Sequence, residues 1–292
     1  MSLTLGVFAA SGPFEPDCFD AGADRLRRRG LSLIEAPGIR ARAGFLAGDD
    51  AHRVKGLLRL TERSDVDAFI AARGGYGLTR ILDRLPAEAL LERLGDRPVV
   101  GFSDVTALHL HLLSAGGRAL HGPVLTQLPH LPEEDVERLL GHLGAAGTAP
   151  PRELSASGPV LRSGRAEGPV WGGNLALVAA LVGTEALRLP PKGVLLLLED
   201  VGETTYRLDR LLTQLRAAGV LARARGVLLG EFVDCRPARP DQPTAEAVLA
   251  ERLGDLGIPV LAGFPVGHGA RNAPIPLGRT AVLDAAAGTL SW

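Results

Sequence analysis

A serine, a glutamate and a histidine, each beside a glycine or a turn at the end of an apolar run, follow one another along this chain. Ser103 lies in Gly101-Phe102-Ser103-Asp104, after the strand-like Pro98-Val99-Val100 and before a helical pattern of Val105, Leu108 and Leu112. A serine on a sharp strand-to-helix turn stands out of the sheet, and the first N–H groups of the helix are open to a developing oxyanion. The match to a nucleophile elbow is partial, because Val105 takes the place of its second glycine. A serine at the head of a helix is also an ordinary N-cap, and residue type alone leaves both roles open. Glu199 closes the apolar run 193–198. Charge at the C-terminal end of a strand faces the crevice where open α/β sheets bind ligands, although Glu203 competes for any such role and a solvated loop carboxylate is the plain alternative. His268 stands between Gly267 and Gly269, just past the strand-like 259–264. The chemistry these three suit is acyl transfer: a hydroxyl attacks a carbonyl, an imidazole moves the proton, and a carboxylate orients the imidazole.

Arg73-Gly74-Gly75-Tyr76-Gly77 ends another apolar run. Glycines there let the backbone approach a ligand and present N–H donors; a tight turn is the alternative. No Gly-Lys-Ser/Thr follows, and Arg80 replaces the third glycine of a dinucleotide fingerprint, so neither nucleotide motif is complete. His109 and His111 lie two apart in a helical pattern and face different ways. His121 precedes Gly122-Pro123 in a loop. No close cluster of ligands is present, which disfavours metal-assisted hydrolysis. Cys18 and Cys235 form no CxxC pair and no disulfide framework. A glutamine amidotransferase needs a cysteine at the elbow, where Ser103 stands.

The elements that must hold these residues alternate. Runs at 3–10, 31–36, 66–72, 99–102, 193–198, 226–230 and 259–264 read as strands, and 17–29, 49–61, 79–85, 103–114, 174–182, 205–218 and 244–253 as helices. Such alternation predicts an α/β fold with a parallel sheet covered on both faces. From 133 to 168 the pattern degrades into a stretch rich in Gly, Pro, Ala and Ser. We therefore expect an N-terminal domain at 1–150 bearing Ser103, a linker at 151–167 with at most one short strand, and a C-terminal domain at 168–292 bearing Glu199 and His268.

Composition narrows the class. Of 292 residues, 46% are hydrophobic and 22% charged, and 32 basic against 33 acidic side chains leave a net charge of −1. That excludes disorder and provides no field to gather nucleic acid or an anionic membrane. Aromatics at 4% do not build base-stacking platforms. Lys55 and Lys192 are the only lysines, so arginine supplies nearly all the positive charge. The segment 168–184 is too short and too punctuated to span a bilayer, and the first residues lack a signal-peptide pattern; the expectation is a cytoplasmic protein.

Eight blocks together resemble one family. They are Ala9-Ala10-Ser11-Gly12-Pro13, Phe45-Leu46-Ala47-Gly48-Asp49-Asp50, Arg73-Gly74-Gly75-Tyr76-Gly77, Gly101-Phe102-Ser103-Asp104, His121-Gly122-Pro123, Gly172-Gly173-Asn174-Leu175, Leu198-Glu199-Asp200 and Gly267-His268-Gly269. In this order they resemble the LD-carboxypeptidases, a serine peptidase family that also contains the microcin C7 immunity hydrolases. The resemblance implies Ser103 as nucleophile, Glu199 and His268 as its relay, and backbone N–H groups of Gly75 and Asp104 as the oxyanion hole. It favours Glu199 over Glu203, through separations of 96 (199 − 103) and 69 (268 − 199) residues. It further implies an N-terminal flavodoxin-like (class I glutamine-amidotransferase-like) domain, a smaller C-terminal α/β domain of swivelling type, a homodimer, and no metal or cofactor. The reaction implied is removal of a terminal D-amino acid, D-alanine, from cell-wall tetrapeptides during wall recycling in the cytoplasm. An immunity-type hydrolase of peptidyl- or aminoacyl-nucleotides and a non-catalytic small-molecule binder on the same scaffold are the alternatives. Trp171 and Asn174 are candidates for lining the peptide groove, with core packing equally able to account for Trp171. An arginine is the natural partner for the substrate's free carboxylate, and the sequence singles out none.

Overall fold

The computed structural model describes residues 3–149 and 151–292. In chain order these form β1 (Thr4–Phe8), α1 (Pro16–Arg27), β2 (Ser32–Glu35), α2 (Asp50–Thr61), β3 (Ala68–Ala71), α3 (Ala87–Leu94), β4 (Val99–Gly101), α4 (Thr106–Ser114), β5 (Ala119–His121) and α5 (Glu133–Leu143). There follow β6 (Glu153–Ser155), β7 (Val160–Arg162), β8 (Arg165–Asn174), α6 (Leu175–Ala180), β9 (Val194–Val201), α7 (Thr205–Ala217), β10 (Ala224–Val233), α8 (Ala245–Leu253), β11 (Val260–Ala262), β12 (Ile275–Leu277), β13 (Thr280–Asp284) and β14 (Thr289–Ser291). Two compact units result: Met1–Pro151 with Ala273–Pro276, and Arg152–Asn272 with Leu277–Trp292. No helix among the described residues is long and apolar enough to cross a membrane.

The first unit holds a six-stranded sheet in the order β12-β5-β4-β3-β1-β2. β1 pairs in parallel with β2 and β3, and the parallel pairing runs on through β4 to β5. This is the flavodoxin-like order. Strands β1, β3 and β4 are short and apolar on both faces because helices cover both, whereas the edge strand β2 is partly exposed; Leu5, Val7, Ile70, Val100 and Leu120 join Phe19, Leu26 and Leu139 in one buried cluster. Every loop that follows one of these parallel strands emerges at the same sheet edge, and that edge carries Ser11, Arg73 and Ser103.

The second unit holds an eight-stranded sheet in the order β6-β14-β13-β8-β9-β10-β11-β7. Its centre, β8-β9-β10-β11, is parallel, and antiparallel strands flank it on both sides. The central strand β9 is buried from Val194 through Asp200, as its unbroken apolar run requires.

Several elements differ from the sequence expectation. The helix expected at 79–85 is two separate 3₁₀ turns, Leu78–Arg80 and Leu82–Arg84. The segment 151–167 supplies two edge strands and the start of β8. The stretch from 133 opens with a full helix, α5, with three acidic residues in its first turn and Gly144 left-handed at its end. A hairpin, β13–β14, closes the chain. Residues 273–276 return to the first unit, where β12 takes the edge beside β5.

Packing of α1 gives a direct check. A Cβ on Gly22 would lie 2.1 Å from the backbone oxygen of Leu125. Gly22→Ala is expected to destabilise the protein by about 1–3 kcal/mol, read in urea unfolding as a lower midpoint with an unchanged slope.

Candidate active site

In the first unit β4 ends at Gly101, and the chain turns at Ser103 with φ of 60° before the 3₁₀ turn Ser103–Val105 leads into α4. A left-handed conformation in a non-glycine residue costs of order 1–3 kcal/mol and persists where the surroundings impose it. The N-cap position of α4 is Val105, and no side chain caps either helical segment. Ser103 is therefore not a capping serine but a strained, partly exposed one.

The glycine loop leans on this serine. A Cβ on Gly74 would lie 2.8 Å from Ser103 Cβ and 2.9 Å from its Oγ, so only glycine lets the backbone come this close. The Gly75 N–H donates to no acceptor among the described residues. The next side chain along the turn, Asp104, is buried, and its Oδ2 accepts the Leu78 N–H at 2.9 Å. Burial pushes its carboxyl above the ordinary range, while backbone N–H groups of Leu78 and Gly77 and the charge of Arg53 oppose that rise. Arg53, its side chain fully buried, lies beneath the loop and donates to the carbonyls of Ala10 and Gly77 and to Asp50. Asp50 also receives Arg80, and the two guanidiniums, Arg80 foremost, hold its carboxyl down at about 2.

In the second unit Glu199 is wholly buried near the end of β9, in register with Asn174 of β8. Its Oε2 meets His268 Nδ1 at 2.7 Å. Oε1 is buried and has no hydrogen-bond partner among the described residues, so the carboxylate's one hydrogen bond goes to the imidazole. The loop that carries His268 depends on Gly267, whose φ of 127° and lack of a side chain admit Glu199 Oε2 to within 2.8 Å of where a Cβ would stand. Asn272 Oδ1 accepts the Gly267 N–H at 3.1 Å and closes the loop. Glu203 is engaged by Arg207 at 3.4 Å; Glu199, not Glu203, holds the histidine.

Asp200, on the opposite face of the same strand, accepts Asn174 Nδ2 at 2.9 Å and the N–H groups of Ala176 at 3.0 Å and Val201 at 2.9 Å. Burial, with the neighbouring Glu199 charge adding to it, pushes its carboxyl up to about 6 despite these donors. Asn174 caps α6 through its Oδ1 to the Leu177 N–H, so both ends of its amide are spent inside the fold. Trp171 is buried within β8, and core packing accounts for it. His109 is buried and pushed down to about 3, hence neutral. His121 is a core residue whose ring meets Phe102 edge-on at 6.1 Å, behind the Ser103 turn. Burial pushes the Cys235 thiol up to about 11, which leaves it inert as a nucleophile. Among the described residues no group of three or more His, Cys, Asp or Glu is placed to hold a metal ion.

Residues 5–122 match the N-terminal domain of the LD-carboxypeptidases, and residues 167–283 match their C-terminal domain. The chain belongs to the LD-carboxypeptidase family. It is accordingly a carboxypeptidase, a hydrolase of peptides. The murein tetrapeptide carboxypeptidase of Pseudomonas aeruginosa is 32% identical over 96% of this chain and 92% of its own length. The crystal structure of muramoyltetrapeptide carboxypeptidase from Oxalobacter formigenes superposes with a TM-score of 0.84 at 27% identity, covering 98% of this chain and 97% of that one. The microcin C7 self-immunity protein of Escherichia coli is 25% identical over 96% of this chain and 90% of its own.

The sequence pointed to the serine, glutamate and histidine but not to the buried polar groups near them: Arg53 and the Asp104 carboxylate, which tie the loops beside Ser103, and Asp200, which braces α6 next to Glu199. A signal for Arg53 was present, since Asp50 and Arg53 share one helix face three residues apart.

Each unit offers one measurement. Gly74→Ala places a methyl against Ser103 Cβ without demanding a left-handed backbone at 74; peptide turnover is expected to fall by about 10- to 100-fold with a small change in melting temperature. Asp200 has a folded-state pKa of about 6 against an ordinary 3.8. Its contribution therefore weakens the folded state as pH rises through this window and is absent below it. Relative to the wild type, Asp200→Asn is expected to gain stability between pH 4 and pH 7 by at most about 3 kcal/mol, measured by urea unfolding at both pH values.

Proposed function

We propose that this carboxypeptidase removes the terminal D-amino acid from a cell-wall tetrapeptide through a serine acyl-enzyme. Ser103 Oγ attacks the scissile carbonyl as His268 takes its proton. Glu199 fixes the imidazole tautomer from Nδ1, which assigns the proton transfer to Nε2, and stabilises the imidazolium that forms. The N–H groups of Asp104 and Gly75 receive the tetrahedral oxyanion, each contributing roughly 2.7–4 kcal/mol when preorganised. His268 then returns the proton to the leaving amine, and water, activated by the same histidine, releases the acyl group.

The observation that carries this reading is the 2.7 Å bond between His268 Nδ1 and the fully buried Glu199, within a family of carboxypeptidases. The left-handed, partly exposed Ser103 turn supports its reading as the nucleophile. The substrate class comes from the names of the Pseudomonas and Oxalobacter relatives. The family resemblance also brings a homodimeric form and a cytoplasmic role in wall recycling into the proposal.

A disaccharide-tetrapeptide incubated with the protein is expected to lose one alanine, seen by mass spectrometry, and Ser103→Ala to abolish that loss with an unchanged circular dichroism spectrum. Unaltered turnover by purified Ser103→Ala would overturn the nucleophile assignment. Cleavage of an aminoacyl-nucleotide in place of the tetrapeptide would move the substrate class toward that of the immunity hydrolases.

A further inference from the structure

A carboxypeptidase must read a free carboxylate, and the reader's place is constrained by covalent reach. The terminal carboxylate carbon is three bonds from the scissile carbonyl carbon, about 4 Å at most. The reader must therefore lie within one residue's length of the oxyanion donors.

The topology marks a crevice at that place. β1 has β2 on one side and β3 on the other, so the loops after β1 and β3 diverge at the switch point of the sheet, where flavodoxin-like folds take their ligands. The loop after β3 carries Arg73, Gly74 and Gly75. Gly12, in the loop after β1, donates its N–H to Gly74 O at 3.0 Å across the crevice. Arg73 spans the same gap, with Nη1 donating to Pro13 O at 2.7 Å. That nitrogen also lies 3.1 Å from where a Cβ on Gly12 would be and 3.6 Å from where one on Gly75 would be. The guanidinium is thus folded back over the loop that touches Ser103.

Its bonding distinguishes it from the arginines around it. Arg42 pairs with Glu15, while Arg53 and Arg80 share Asp50. Arg73 is exposed, and among the described residues its guanidinium has the Pro13 carbonyl as its hydrogen-bond partner and no carboxylate in ion-pair reach. With Nη1 tethered, Nε and Nη2 present the side of the guanidinium that binds a carboxylate through two parallel bonds. We propose that Arg73 is the specificity-determining residue that receives the substrate's terminal carboxylate, beside the Gly75 N–H. The proposal rests on the peptidase reading above, from which the leaving D-amino acid and its carboxylate come.

The test separates the two. Calorimetric binding of a tetrapeptide and of its C-terminal amide is measured on Ser103→Ala, with and without Arg73→Gln or Arg73→Lys. The acid is expected to bind Ser103→Ala about 10- to 100-fold more tightly than the amide. Arg73→Gln is expected to erase the difference and leave amide affinity in place, while Arg73→Lys, a point charge without the fork, retains part of it. Equal binding of acid and amide, no binding of either, an acid preference that survives Arg73→Gln, or an equal loss for both ligands would each overturn the assignment; the last would mark Arg73 as a scaffold for Pro13. Should Arg73→Gln melt early, the comparison rests on Arg73→Lys. An acid preference that depends on Arg73, in a protein whose wild type leaves the tetrapeptide intact, would sink the peptidase reading and leave the carboxylate site standing.

Discussion

Ser103 holds a φ of 60° that an L-residue adopts only at a cost, and much of the first unit's strand-end architecture serves to keep it there. Behind the turn, Gly101 packs under Val105, where a Cβ would lie 2.8 Å from the valine. In front, the Gly74 backbone presses on the hydroxyl. The Asp104 carboxylate ties this turn to the glycine loop through Leu78, and the Arg53 guanidinium ties that loop to the chain leaving β1 at Ala10. Loops following three adjacent parallel strands are thereby fastened to one another by buried polar contacts. Under the proposed mechanism the Ser103 hydroxyl and the N–H donors gain from this, because preorganised groups need no rearrangement when charge develops.

The second unit solves a related problem with two consecutive carboxylates. Strand alternation sends Glu199 and Asp200 to opposite faces, and their partners then divide their roles. Asp200 collects three donors and braces the start of α6 through Asn174 and Ala176. Glu199, equally buried, has one donor, His268. A buried carboxylate with a single partner concentrates its field on that partner, which is what an imidazole needs if it is to carry a transient positive charge. Under the proposed mechanism these adjacent acids divide structure from chemistry between them.

Much of this was legible in the residues. The apolar runs that became β1, β3, β4, β9 and β10 announce themselves, because strands buried on both faces have no polar alternation to confuse the reading. Ser103, Glu199 and His268 stood out by their places at strand ends. The helix α5 was missed: Val136, Leu139, Leu140 and Leu143 keep helical spacing after Pro132, but the Gly- and Ala-rich stretch beyond them drew the whole segment into the reading of a degraded pattern. Other features have no local signature. Strands of three residues such as β6 and β7 exist only through pairing with β14 and β11, far away in sequence. The return of 273–276 to the first sheet is likewise a non-local choice. Left-handed backbone at a serine cannot be read from its neighbours, and the burial of Arg53 runs against the usual exposure of its residue type.

Arginine serves two opposite ends in the first unit, and the contrast shows why lysine is nearly absent from this chemistry. Arg53 is buried, and its planar group spreads one charge over the carbonyls of Ala10 and Gly77 and the carboxylate of Asp50, in directions a compact ammonium could not reach together. Removing that carboxylate would strand a charge inside the protein, a far larger penalty than any surface ion pair repays. Arg73 has the opposite arrangement: one nitrogen tethered to Pro13 and the remainder facing outward at the switch point. The tether matters as much as the charge. A side chain already held by one bond loses less rotational freedom when a ligand arrives, so more of the ion-pair energy is left for binding. The buried guanidinium stabilises the loop, and the tethered one lends that same loop a charge for a ligand to meet.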